Sequence, residues 1–113
     1  MSGVKKQLVK SAYLALKDCL SAWLRIDISK EEEAEVRDTY NFLSEVVVLI
    51  ERDEADLEKL VHQLLASRKN YATQLQTLKK NVEQKQIQHK MVDQLVKSYE
   101  TLLQRIDMLR MSR

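Results

Sequence analysis

The chain has 113 residues, of which 44% are apolar and 32% charged, and its formal net charge is only +2. It contains no proline, one glycine and one cysteine, so it lacks the residues that build tight turns, hairpins and phosphate-cradling loops. A strand-rich fold and a disulfide-stapled domain are thereby excluded, and an all-α protein is expected.

The first predicted element is an amphipathic helix within residues 1–28. Val9, Tyr13, Leu16, Leu20 and Trp23 recur at spacings of three and four, with Ala12 and Leu24 beside them, while Lys6, Lys10, Lys17 and Arg25 occupy the other side. Cys19 shares the apolar face, which predicts a buried thiol and not a reactive one. Trp23 is read as a packing anchor. The same face could lie on lipid with the lysines toward headgroups, but it is also the face that a bundle helix needs, and packing is the favoured reading.

A second element begins at Ser29. Ser29 stands three residues before Glu32 in an acidic first turn, a capping-box signature that also complements the helix dipole. From there one heptad register runs almost to the C-terminus of a single 29–113 region. Its core positions are Val36, Tyr40, Leu43, Val47, Ile50, Glu54, Leu57, Val61, Leu64, Arg68, Tyr71, Leu75, Leu78, Val82, Lys85, His89, Val92, Val96, Tyr99, Leu103, Ile106 and Arg110. Glu54, Arg68, Lys85 and His89 are the polar core positions expected to set register. Trp23, Tyr40, Val47, Ile50, Leu57, Leu64, Leu75, Leu78, Val92, Val96, Tyr99, Leu103 and Ile106 are expected to anchor helix interfaces. Further apolar residues at the flanking g positions, Val46, Leu60, Leu95, Leu102 and Leu109, widen the stripe toward a bundle of three or more helices.

Charge selects the direction of packing. Residues 1–26 carry +4, residues 27–59 carry −8 and residues 60–113 carry +6, so antiparallel neighbours neutralise one another. A parallel in-register dimer would set Glu54, Arg68 and Lys85 each against its own copy. An antiparallel register that sets Glu54 against Lys85 has its centre between Lys69 and Asn70. Two architectures satisfy it. In one, residues 67–70 form the turn of a helical hairpin covered by the first helix. In the other, residues 30–111 form one unbroken helix of about 120 Å that pairs across an antiparallel dimer. The absence of glycine, proline or aspartate at 67–70 favours the unbroken helix; Glu51-Arg52-Asp53 is a second candidate interruption, where Asp53 could cap a new helix, with a solvated charged face the favoured reading. The expected fold is thus an elongated antiparallel helical bundle or coiled coil.

Little in the chain points to catalysis. His62 and His89 lie far apart, with no carboxylate or thiol cluster at metal-ligand spacing around either, so no metal or other cofactor is expected. The acid pairs Asp53/Asp56 and Glu31/Glu35 fall in an exposed acidic stretch, and no phosphate loop, nucleophile elbow or Cys/His pair is present. The longest apolar run, Val46-Val47-Val48-Leu49-Ile50, is far below the roughly 18 residues of a membrane span, and the N-terminus lacks a cleavage signal. A cytoplasmic or nuclear location is expected. Together these features predict a non-catalytic scaffold or adaptor, homo- or hetero-oligomeric, that meets protein partners through helical faces. The alternative is a peripheral membrane or nucleic-acid adaptor using Lys5, Lys6, Lys10 and Lys17, or Lys79, Lys80, Lys85 and Lys90.

Overall fold

A computed structural model describes residues 2–26, 29–83 and 90–112 and holds four helices in these segments: α1 (Ser2–Leu24), α2 (Lys30–Glu51), α3 (Leu57–Glu83) and α4 (Lys90–Met111). Ser29 starts α2 as its spacing predicts. It has extended backbone, its Oγ accepts the Glu32 N–H at 3.2 Å, and the same hydroxyl donates to Glu32 Oε1 at 3.2 Å.

The unbroken 30–111 helix is not formed, and neither is a turn at 67–70. The chain breaks at 52–56, and α3 runs unbroken through Ser67-Arg68-Lys69-Asn70. The break is a Schellman turn closed by an aspartate. Asp53 adopts φ 58, its N–H donates to the Ile50 carbonyl at 3.1 Å, and the Glu54 N–H donates back to the Leu49 carbonyl at 2.9 Å. Asp56 then caps α3 by accepting the Lys59 N–H through Oδ1 at 3.2 Å. Aspartate is among the few side chains that enter the left-handed region at modest cost, so the turn forms without glycine. Glu54 is therefore an exposed turn residue and not a core register position. Asp53→Gly is expected to raise stability by about 0.5 kcal/mol, because the relieved backbone strain exceeds the lost exposed ion pair. The urea midpoint measures this, and a lower midpoint than wild type would contradict it.

Side-chain pairs fix the directions. Lys10 Nζ meets Glu51 Oε1 at 2.9 Å and Lys17 Nζ lies 5.0 Å from the centre of the Tyr40 ring, so α1 and α2 are antiparallel. Arg68 reaches Asp107 and Tyr99 reaches Gln74, so α3 and α4 are antiparallel as well. Arg105 Nε donates to Ser11 Oγ at 2.8 Å and Trp23 Nε1 to Tyr99 Oη at 3.0 Å, which runs α4 against α1. The result is an up-down-up-down bundle with extents of 45 × 28 × 20 Å, well short of the about 120 Å that one continuous helix requires.

The first helix is the centre of this bundle and not its cover. It packs along α4 and α2 and touches α3, whereas α2 makes no comparable contact with α3 or α4. Its buried stripe of Ala12, Ala15, Cys19 and Ala22 is small. The buried residues of α4 are large: Leu95, Leu102, Ile106 and Leu109 are all essentially inaccessible. Small side chains let the α1 axis approach α4 closely, and the leucines fill the space between them.

The buried seam of α4 keeps the expected Val92, Tyr99 and Ile106, but its other edge is turned by one position, from Val96, Leu103 and Arg110 to the flanking Leu95, Leu102 and Leu109. Arg105 contacts α1, which assigns residues 98, 102, 105 and 109 to the α1 side. Asp107 and Glu100 contact α3, which assigns residues 96, 100, 103 and 107 to the other. Accordingly Leu95, Leu102 and Leu109 are buried, Val96 and Leu103 are half-buried, and Arg110 is exposed.

The electrostatic expectation for the first segment is met at one end of the bundle. Lys5 pairs with Glu58, Lys6 Nζ with Asp53 Oδ1 at 3.0 Å, and Lys10 with Glu51. Lys6 Nζ also donates to the Glu51 carbonyl at 3.3 Å, so α1 supplies the basic cap that the last turn of α2 lacks. The Lys10 ammonium, by hydrogen bonding, holds the Glu51 carboxyl below its ordinary pKa.

Candidate protein-docking groove

Because α2 leans on α1 alone, the bundle is not sealed between α2 and α3. Two openings lie in succession along that seam, with volumes of about 450 and 370 Å³. The first is lined by Tyr13 and Leu16 from α1, Thr39, Phe42 and Leu43 from α2, and Gln63, Leu64, Ala66, Ser67 and Tyr71 from α3. The second continues past Leu20 and Trp23 to Glu32, Glu35 and Val36 on α2, Gln74 on α3 and Tyr99 on α4. Tyr13, Leu16, Leu20 and Trp23 recur at spacings of three and four, so they form one apolar floor down the length of α1.

The α2 wall has the same helical logic. Glu32, Glu35, Thr39, Phe42, Val46 and Leu49 fall on one flank of the helix. Phe42, the only phenylalanine, is 62% exposed there, and Leu49 one heptad later is 40% exposed. Phe42 is thus a large aromatic side chain held open beside an apolar floor.

Hydrogen bonds hold the floor in place. Trp23 Nε1 donates to Tyr99 Oη, and that hydroxyl donates to Gln74 Oε1 at 2.9 Å, tying α1, α4 and α3 together at the end of the groove. Burial pushes the Tyr99 and Tyr13 hydroxyls up to about 12, so both are protonated at neutral pH. Cys19 lies behind the floor. Burial first and Asp18 second push its thiol up to about 12, which leaves it inert as a nucleophile.

Most residues expected to anchor helix interfaces lie in the chain's own core: Val47, Ile50, Leu64, Leu75, Leu78, Val92, Tyr99 and Ile106 are buried, and Leu57, Val96 and Leu103 pack half-buried against them. Tyr40 is half-buried under Lys17, and Trp23 serves core and groove at once. Arg68 binds Asp107 bidentately, Nε to Oδ1 at 2.6 Å and Nη2 to Oδ2 at 3.1 Å, so it joins α3 to α4 and not one chain to its copy. That hydrogen bonding lowers the Asp107 pKa and raises that of Arg68. Lys85 and His89, and with them the proposed Glu54–Lys85 pair, lie outside the described residues.

Phe42, Leu49, Thr39 and Glu35 are absent from the heptad seam. Phe42 and Leu49 are large apolar residues seven apart at off-seam positions, and that spacing is the signal by which the groove wall is legible in the sequence. Among the described residues no helix is long and apolar enough to cross a membrane, and no three His, Cys, Asp or Glu side chains converge at metal-binding distance. No protein-family model matches the chain, and neither a curated protein nor a solved structure matches it.

Proposed function

We propose that this protein is a non-catalytic adaptor that holds a helix of a partner protein in the groove between α2 and α3. The observation that carries the reading is the unsealed seam: an apolar floor of Tyr13, Leu16, Leu20 and Trp23 with an exposed Phe42 on its wall. A helix with apolar residues at i, i+3 or i+4 and i+7 would bury that floor and give α2 the second neighbour it lacks. The engagement of Lys5, Lys6 and Lys10 with Glu58, Asp53 and Glu51 supports this reading over a phosphate-binding one, since those charges are already matched.

The test is site-specific photo-cross-linking in cells. A benzophenone analogue replaces Phe42 in one sample and Val48, on the opposite flank of α2, in another. A protein partner is expected to cross-link from position 42 and not from 48, and its recombinant segment should lose affinity for Phe42→Ser by about tenfold. Equal cross-linking from both positions, or unchanged affinity for Phe42→Ser, would overturn the assignment.

A further inference from the structure

We infer that the occupant of the groove is an amphipathic helix of another protein that carries arginine or lysine at the end lying over Trp23, an inference that rests on the docking function proposed above. The groove is asymmetric in charge. Its Trp23 end is flanked by Glu32 and Glu35, in a nine-residue stretch from Lys30 to Asp38 with five acidic and two basic residues. Among the described residues the only ion pair in that stretch is Glu33 with Arg37 at 2.9 Å. Among the described residues lining this end, the facing wall is the neutral Gln74 and carries no charge to answer the carboxylates. The floor is apolar.

A cation at this end meets two carboxylates beside an indole, surroundings that favour arginine or lysine over any neutral residue. The opposite end, with Phe42, Leu16 and Leu43 beside the uncharged Thr39, Gln63 and Ser67, offers a cation no counter-charge and favours an apolar side chain. From Glu32 to Phe42 the wall spans about 15 Å, so the occupant needs roughly three helical turns. A second copy of this chain is a poorer fit. Its basic α1 helix is the core of its own bundle, and Lys5, Lys6 and Lys10 are already paired there.

Trp23 is the only tryptophan and lies in the site, so its fluorescence reports occupancy. Two synthetic helical peptides of about 14 residues, free of aromatic residues and sharing one leucine stripe, differ only in carrying arginine or glutamate at one end. The arginine peptide is expected to shift Trp23 emission and to bind roughly five- to tenfold tighter than the glutamate peptide in low salt. Glu32→Lys/Glu35→Lys should invert that order, and Phe42→Ser should weaken both peptides. If both peptides bind equally and Phe42→Ser weakens both, the basic partner is wrong and the docking groove stands. Absence of any Trp23 response overturns the groove itself. Arginine-peptide binding that survives Phe42→Ser is surface adsorption and overturns the inference. Concentration-dependent dimerisation of the protein alone, with the same emission shift, makes a second copy the occupant and overturns it too.

Discussion

Leu102→Ala is expected to destabilise the bundle by about 3 kcal/mol and to lower Tm by more than about 10 °C. Leu102 is fully buried on the α1 side of α4, opposite the stripe of small buried residues Ala12, Ala15, Cys19 and Ala22 that α1 carries beside its larger buried Val9 and Tyr13. Small residues cannot extend into the space that a leucine vacates. The substitution therefore loses the transfer energy of the removed methylenes and leaves a cavity that the backbones, already close, cannot collapse. Leu103→Ala, one residue on and half-buried at the α3 side, is expected to cost only about 1 kcal/mol. Urea unfolding of the two variants reads out the rotation of the α4 seam directly. Equal losses would return the seam to the heptad expected from the sequence.

Ala12→Leu is expected to cost about 3 kcal/mol, at the upper end of overpacking effects. Leucine has nearly the helix propensity of alanine, so the loss isolates the closeness of the α1 and α4 axes. Ala12 has no accessible surface, and the inserted side chain can be accommodated only by separating two helices that make the most extensive contact in the fold. Ala34→Leu on the exposed face of α2 is the matched control and should stay within about 0.5 kcal/mol of wild type. A mild effect at Ala12 would mean that the small stripe is not what sets the helix spacing.

These residues also explain what could be read before the structure was seen. The start of α2 was legible because a capping serine and its glutamate form a local motif with one geometry. The stripes of α2 and α3 were legible because Leu43, Val47, Ile50, Val61, Leu64, Leu75 and Leu78 keep one period and face one way. The break at Asp53 was legible only as the less favoured of two readings. An aspartate in the left-handed region is written with the same letter as an aspartate on a solvated helix face, and the heptad happens to continue in phase across the turn. An uninterrupted pattern therefore predicts an uninterrupted helix, which the left-handed Asp53 breaks.

The position of α1 was hidden for a related reason. A stripe of Ala12, Ala15, Cys19 and Ala22 scores weakly for hydrophobicity although it occupies the most tightly packed line in the bundle. The groove escaped notice because heptad patterning describes seams that close, and this one is left open. Its wall is built from off-seam residues, Thr39, Phe42 and Leu49, whose meaning depends on which helix lies across from them.

The turn at Asp53 has a further consequence for how the chain behaves over time. Residues 52–56 and the α1 lysines tether one end of α2, while most of its length has a single supporting neighbour. Local opening of α2 then breaks one main interface, whereas opening of α1 breaks its contacts with α2, α3 and α4, so α2 amides are expected to exchange faster than those of α1. A ligand that seats against α2 adds its binding free energy to that opening energy, so occupancy is recorded as slowed exchange along a helix that the free protein holds only from one side.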